Sequence, residues 1–298
     1  MICDNCGAEI PELTFCDQCG KQAKSNARET VVSSGPSSSK YEIVKEIGRG
    51  GMGIVYEAVN KQLGKHVAIK KMREEIAVNQ REKKRFMDEA RQVAELHHPN
   101  IVDIYDIYEE AGSVFLVFEH IDGEPLDALL NRESRIQSAK AAAIVLGVCG
   151  ALEHAHSKRI IHRDIKPSNI MLSKNGFVKV MDFGIARQVS DTLSKLTGTE
   201  SSGTLVYMPP EQHLGKFDAR SDIYSLGVVL YEMVTGELPF NGPDYLAQKR
   251  EMVHKKPSEL VKDLPPGLEA AILDCLQCDA DKRPQTATDL GVRLKTIR

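Results

Sequence analysis

The chain has 298 residues, of which 39 are Lys or Arg and 42 are Asp or Glu, so its formal net charge is −3. This balance creates no cationic field that would attract nucleic acid or an anionic membrane, so neither partner is expected. Hydrophobic residues make up 42% and charged residues 27% of the chain, proportions that are typical of a globular fold and exclude a collagen-like or wholly disordered protein.

The sequence predicts neither an N-terminal secretory signal nor a membrane-spanning segment in this chain. Its first residues, MICDNC, contain neither the basic nor the apolar region of a secretory signal. The longest uncharged stretch, residues 141–152, is shorter than the ~18 residues that cross a bilayer, and it predicts a packed helix. We therefore expect a cytoplasmic protein with no membrane segment in this chain.

Residues 1–20 form the first predicted unit, a small zinc ribbon. Two C-x-x-C-G turns, separated by nine residues, contain four of the seven cysteines. Zn²⁺ takes four thiolates in tetrahedral geometry, and each turn presents two of them, so we expect a structural Zn²⁺ that supplies folding free energy and does no chemistry. A redox pair or chance clustering is the alternative. The predicted ligands are Cys3, Cys6, Cys16 and Cys19.

The charge of this ribbon and the composition of the segment after it indicate how the ribbon is used. Residues 1–20 contain acidic side chains but no Lys or Arg, so we expect the ribbon to contact a protein and not a nucleic acid. Residues 21–40 are rich in Ser and poor in large apolar side chains, which is typical of a flexible linker. The ribbon is thus expected to be a tethered docking or regulatory module.

Residues 41–298 are predicted to form the main domain. Alternating apolar segments, YEIVKEIG, GIVYEAV and KHVAIKKM, predict strands, and longer helical patterns follow at residues 83–96 and 138–156. The order of these elements, with strands first and helices later, indicates a two-lobed α+β domain.

A glycine-rich loop joins the first two predicted strands. Its sequence, GRGGMGIV, matches G-x-G-x-x-G-x-V. A dinucleotide-binding turn would lead into a helix and a Walker motif would continue with Lys, whereas this loop continues as a strand. A glycine loop between two strands lets backbone N–H groups lie over nucleotide phosphates. The predicted contacts are Gly48, Arg49, Gly50, Gly51, Met52, Gly53 and Val55.

Further motifs follow in a fixed order. VAIK ends at Lys70, a helical segment contains Glu89, HRDIKPSN covers residues 162–169, DFG covers residues 182–184, and PPE covers residues 209–211. This set resembles the protein kinases over residues 41–298, and its details look like the bacterial Hanks-type Ser/Thr kinases. The lysine at position 166, two residues after Asp164, resembles the residue that Ser/Thr kinases have there, whereas tyrosine kinases differ at this stretch.

The resemblance implies a small, mainly antiparallel β lobe and a large, mainly helical lobe, with ATP and Mg²⁺ or Mn²⁺ as cofactors and proteins as substrates. By resemblance, Lys70 contacts the ATP phosphates and pairs with Glu89. Asp164 orients the substrate hydroxyl and accepts its proton, and Lys166 stabilises the transferred phosphoryl group. The implied Mg²⁺ ligands are Asn169 and Asp182, and the implied adenine pocket includes Ala68, Glu119, Ile121 and Met171.

The segment between residues 182 and 211 is rich in hydroxyl groups. By resemblance, Arg85, Arg163 and Arg187 form one basic pocket, where a phosphate on this segment would order the loop. We expect autophosphorylation in trans, within a transient homodimer. The predicted sites are Thr197 and Thr199, with Ser201 and Ser202 as alternates.

Two other classes of function stay open at this point. A pseudokinase scaffold would bind nucleotide without turnover, although such a protein normally lacks an equivalent of Lys70, Asp164 or Asp182, and all three are present. A zinc-ribbon adaptor would use the ribbon as its functional core and the large domain as an accessory.

Overall fold

A computed structural model describes residues 40–50, 53–72, 79–183, 205–295 and 297, without the side chain of residue 82. The predicted ribbon and nearly all of the linker precede these residues. Several predicted site residues also lie outside the described residues: Cys3, Cys6, Cys16, Cys19, Gly51, Met52, Arg187, Thr197, Thr199, Ser201 and Ser202.

The small lobe is a five-stranded antiparallel sheet with one helix. The strand order is β1-β2-β3-β5-β4. The strands are β1 (Tyr41–Gly50), β2 (Gly53–Asn60), β3 (Lys65–Met72), β4 (Ile104–Glu110) and β5 (Ser113–Glu119), and helix α1 (Gln80–Ala94) lies between β3 and β4 in the chain.

The two faces of this sheet pack into different cores because side chains alternate along a strand. On β5, Phe115 and Val117 pack with Ile69 of β3 in a cluster confined to the small lobe. Leu116 and Phe118 point the other way, into the main core, where they join Phe86 of α1 and residues of the large lobe. The inner face of the sheet therefore points toward the large lobe.

The large lobe is mainly helical and carries one small antiparallel sheet of order β6-β7-β8. Its elements are β6 (Gly123–Pro125), α2 (Leu126–Glu133), α3 (Ser138–Ser157), β7 (Ile170–Ser173), β8 (Val178–Val180), α4 (Ala219–Thr235), α5 (Tyr245–Glu251), α6 (Pro257–Leu260), α7 (Pro266–Cys275) and α8 (Ala287–Lys295). Short 3₁₀ turns cover Pro167–Asn169, Pro210–Leu214 and Ala280–Lys282.

Helix α4 is the centre of this lobe, with every residue from Ser221 to Tyr231 buried. It begins at a capping box, in which the Asp218 side chain accepts from the backbone N–H of Arg220 and the Ser221 hydroxyl accepts from the backbone N–H of Asp218. A Cβ atom at Gly227 would lie 2.4 Å from the Cβ of Cys275, so glycine permits the close approach of α7. A rigid, buried helix is thus available to anchor neighbouring loops.

Helix α3 covers the uncharged stretch that the sequence predicted to be a packed helix. It is long and apolar enough to span a membrane by length and composition alone, and half of its most apolar window is buried in the structure. Ile144, Val148 and Leu152 belong to the main core. The predicted packed helix and the predicted α+β architecture of two lobes are confirmed.

Candidate active site

Asp164 lies in the loop between α3 and β7, where its side chain is nearly inaccessible to solvent. The Asn169 side-chain amide donates to the Asp164 backbone carbonyl at 2.8 Å and to Oδ2 at 3.1 Å. The Lys166 ammonium lies 2.8 Å from the same Oδ2. The other oxygen, Oδ1, is buried and has no hydrogen-bond partner among the described residues. The loop therefore fixes one carboxylate oxygen and leaves the second with unused capacity to accept a hydrogen bond.

Asp222, at the start of α4, holds this loop in place. Its carboxylate accepts hydrogen bonds from the backbone N–H groups of His162 and Arg163, both at 2.8 Å, and Oδ2 lies 2.7 Å from Nε2 of His156. Arg163 has a φ of 66°, a left-handed conformation that ordinary residues rarely adopt without support. The fully buried Asp222 supplies this support from the buried helix at the centre of the lobe.

His162 connects the same loop to the segment after β8. Its Nδ1 accepts from the backbone N–H of Asp164 at 3.2 Å, so the ring proton is on Nε2, which donates to the carbonyl of Met181 at 2.9 Å. The ring packs against Phe183 with a centroid distance of 4.6 Å. These contacts place Asp182 beside the loop of residues 162–169, hereafter the catalytic loop.

Lys70 of β3 pairs with Asp182 across the two lobes. Its ammonium lies 2.9 Å and 2.8 Å from the two carboxylate oxygens, and the two side chains are only 11% and 13% exposed. The sequence did not predict this contact with Asp182, and the pair of Lys70 with Glu89 that it did predict stays a prediction. Glu89 lines a cleft on α1 together with Lys84 and Arg85. The role of Glu89 stays a prediction.

Asn169 and Asp182 have the donor set that Mg²⁺ prefers. The backbone N–H of Met181 donates to the carbonyl of Asn169 at 3.0 Å, which brings the next residue, Asp182, close to Asn169. Because the Asn169 amide nitrogen is directed at Asp164, its Oδ1 faces away from that residue. Carboxylate and amide oxygens suit Mg²⁺, which is bound by few protein ligands together with substrate phosphates. Among the described residues, no group of three or more His, Cys, Asp or Glu side chains is placed to hold a metal ion.

Three of the residues predicted to hold the nucleotide lie on the inner face of the small lobe. Val55 is the cross-strand partner of Lys70, and Ala68 lies two residues before Lys70, so all three side chains share one face. Ala68 pairs with Phe118, which places Glu119 at the junction of the lobes. Met171 lies on β7, opposite Pro125 of β6.

The hairpin of β1 and β2 closes through the pair Gly50 and Gly53. Gly53 has a φ of 151°, and a Cβ atom there would lie 1.9 Å from the carbonyl oxygen of Lys71, so only glycine fits. The predicted contact residue Arg49 pairs with Glu46 on the exposed surface of this hairpin, at 2.7 Å.

The PPE motif is anchored by a buried ion pair. Arg283 is 2% exposed, and its guanidinium donates to both carboxylate oxygens of Glu211, at 2.7 Å and 2.9 Å. Burial alone would raise the pKa of Glu211, but its hydrogen bonds with Arg283 prevail and lower that pKa below the usual range. The next residue, Gln212, donates to the backbone carbonyl of Arg163 at 3.0 Å. Sequence reasoning missed Gln212, because a polar residue after a motif carries no signal of its partner.

Comparison with known proteins agrees with this geometry. The family model described as the protein kinase domain matches residues 41–291. The chain is 41% identical over 266 residues to the serine/threonine-protein kinase PknB of Mycolicibacterium smegmatis, covering 86% of the chain and 43% of PknB. It is 39% identical over 265 residues to the probable serine/threonine-protein kinase SCO3848 of Streptomyces coelicolor, covering 86% of the chain and 39% of that protein.

Among solved structures, a mutant form of the kinase domain of Mycobacterium tuberculosis PknI is similar, with a TM-score of 0.69 and 25% identity. The similarity covers 86% of this chain and 95% of that structure. The chain spans about two fifths of the length of the curated relatives that it matches.

Proposed function

The chain belongs to the protein kinase family, and on this basis we propose that it is a serine/threonine kinase, which transfers the γ-phosphoryl group of ATP to Ser and Thr hydroxyls of proteins. Membership in the family implies ATP and Mg²⁺ as cofactors. When bound, ATP would supply the phosphoryl group, and Mg²⁺ would neutralise part of the negative charge of its phosphates.

The observation that carries this proposal is the difference in hydrogen bonding between the two carboxylate oxygens of Asp164. One carboxylate oxygen is fixed by Asn169 and Lys166, and Oδ1 is buried without a partner among the described residues. A substrate hydroxyl within hydrogen-bond distance of Oδ1 would be oriented by this oxygen and would give it a proton. Lys166 would hold positive charge beside the same position.

The other residues bind and orient. Lys70 and the glycine loop would hold the phosphates, and Val55, Ala68, Glu119 and Ile121 would line the pocket for the adenine. Asn169 and Asp182 would hold Mg²⁺ through oxygen atoms. The presence of Lys70, Asp164 and Asp182 together favours an active kinase over a pseudokinase scaffold.

The test is the transfer of labelled phosphate from ATP and Mg²⁺ to a basic protein acceptor, with the modified residues identified by mass spectrometry. Asp164→Asn is expected to reduce the rate by a factor of about 10² or more, because Asn cannot accept the hydroxyl proton. Asp263→Asn, an exposed Asp remote from the loop, is the matched control and should retain the wild-type rate. Equal rates for Asp164→Asn and wild type, or label on Tyr alone, would contradict the proposal.

The proposed function extends to regulation. The hydroxyl-rich segment of residues 184–204 is proposed to be autophosphorylated in trans, with Thr197 and Thr199 as the first candidates. The Cys₄ ribbon is proposed to bind a structural Zn²⁺ and to dock a protein partner, supported by the spacing of Cys3, Cys6, Cys16 and Cys19.

A further inference from the structure

Lys249 of α5 is fully buried, although lysine normally keeps its ammonium in water. Its Nζ donates to the backbone carbonyls of Leu205 and Met208, the latter at 2.8 Å. No carboxylate of the described residues lies within ion-pair distance of this nitrogen. The side chain is therefore held by backbone carbonyls instead of an acidic partner.

The surroundings of Lys249 are apolar. The rings of Tyr245 and Phe240 lie 5.6 Å and 6.0 Å from Nζ. Burial lowers the pKa of Lys249 to about 7, yet the amino group keeps hydrogens for both carbonyls whether or not it is charged. An apolar side chain of similar length would fill this space without the desolvation cost. What the lysine adds is its pair of hydrogen bonds to residues 205 and 208.

These bonds fix a short segment that leads to the catalytic loop. Leu205–Met208 continues into the PPE motif, where Glu211 is held by Arg283 and Gln212 contacts the Arg163 carbonyl, one residue before Asp164. Within the segment, the Tyr207 hydroxyl donates to Oε2 of Glu232 on α4 at 2.7 Å. The segment is thus bound to α5 through Lys249 and to α4 through Tyr207, and it leads along the chain to Gln212, which contacts the catalytic loop.

We infer that Lys249 is a positioning residue, which fixes Leu205–Met208 as part of the surface against which the protein acceptor lies. This inference rests on the proposed function. Lys249 touches neither the acceptor nor the nucleotide and acts through the backbone of the segment. Its loss should therefore weaken acceptor binding and leave ATP binding unchanged.

The test uses the whole chain with Lys249→Met, which keeps the length of the side chain and removes its donors. The KM for the protein acceptor is expected to rise about tenfold, with the KM for ATP unchanged within about twofold. Hydrogen exchange of the Leu205–Met208 amides should become at least about tenfold faster. The unfolding temperature should fall by no more than about 3 °C, because lost hydrogen bonds are offset by the removal of a buried amine.

Two variants make the test specific. Arg250→Met removes a positive charge from the exposed surface of the same helix and should leave both KM values at the wild-type level. Lys249→Gln, whose amide keeps two donors, should recover part of the acceptor affinity, and it replaces the Met variant if that variant does not fold. An equal loss in the Gln and Met variants would overturn the role of the hydrogen bonds.

Unchanged acceptor KM and unchanged exchange in Lys249→Met would overturn the inference as a whole. The exchange measurement needs no catalysis, so it separates the two proposals. If the wild-type chain phosphorylates no Ser or Thr, the proposed function fails, while the exchange of residues 205–208 still decides whether Lys249 fixes them.

Discussion

Lys70 and Asp182 form an ion pair that joins the two lobes, with the ammonium 2.9 Å and 2.8 Å from the two carboxylate oxygens. The same two side chains are the ones proposed to hold the ATP phosphates and Mg²⁺. Binding of the nucleotide and metal must therefore replace or rearrange this contact, because each charge would gain a new partner of opposite sign.

The Lys70–Asp182 pair leads to the first prediction. Lys70→Met should reduce phosphate transfer by a factor of about 10² or more, because the phosphates lose a fixed positive charge in a partly buried site. Initial rates with labelled ATP measure this effect. Lys262→Met, at an exposed position of the large lobe, is the control for the loss of a lysine and should keep the wild-type rate. Similar rates for Lys70→Met and wild type would exclude Lys70 from phosphate binding.

The second prediction concerns the support of the catalytic loop. Asp222→Asn should lower the free energy of unfolding by about 3 kcal/mol, because an amide cannot accept from all of the groups that the carboxylate now binds. Urea unfolding measures this change, and activity is compared under conditions where the variant stays folded. Asp274→Asn breaks an exposed ion pair with Arg293 and should change stability by less than about 1 kcal/mol. If both variants have wild-type stability, Asp222 is not the anchor of this loop.

The third prediction is a dependence of stability on pH. The pKa of Glu211 lies below its usual value in the folded chain, so the Glu211–Arg283 pair stabilises the fold fully above pH ~4.3 and loses this effect as the pH falls through the folded pKa. Glu211→Gln should lower the free energy of unfolding by about 3 kcal/mol at neutral pH, because it leaves the Arg283 charge buried without an anion.

The sign of this effect is tested by unfolding wild type and Glu211→Gln over a range of pH. The difference in stability between the two chains should be largest at neutral pH and should shrink in acid. A difference that stays constant from neutral pH to acid would show that the carboxylate charge is not what stabilises the motif.

The fourth prediction concerns the proposed zinc ribbon. The purified chain should contain about one Zn²⁺ per molecule, and Cys16→Ser should lower the zinc content, because the metal loses one of its four thiolates. Metal analysis by mass spectrometry measures this content. Cys149→Ser, which alters a buried cysteine of α3, is the control and should leave the zinc content unchanged. The absence of zinc from the wild-type chain, purified without chelators, would reject the ribbon.

The strands and loops that contain the motifs could be predicted because each motif requires a particular local backbone conformation. Gly53 is an example, since its backbone conformation and its contact with Lys71 admit no side chain. The alternation on β2 and β3 likewise determines that Val55, Ala68 and Lys70 share a face.

Long-range partners could not be predicted in the same way. Asp182 was not predicted as a partner of Lys70, because an ion pair between two lobes depends on their relative position and not on spacing along the chain. Nothing in the sequence around Lys249 indicates that its side chain is buried. A lysine in a short polar helix predicts an exposed residue, and only the packing of Phe240, Tyr245 and residues 205–208 around it makes the residue buried.

The buried position of Lys249 also has a consequence for protein engineering. Laboratory selection for heat resistance alone should accept apolar replacements at this position, because such changes remove a desolvated amine from the large lobe. Selection for phosphate transfer to a protein should retain lysine or a residue with similar donors. Position 249 is therefore a site at which phosphate transfer to a protein, and not the stability of the fold, requires the lysine.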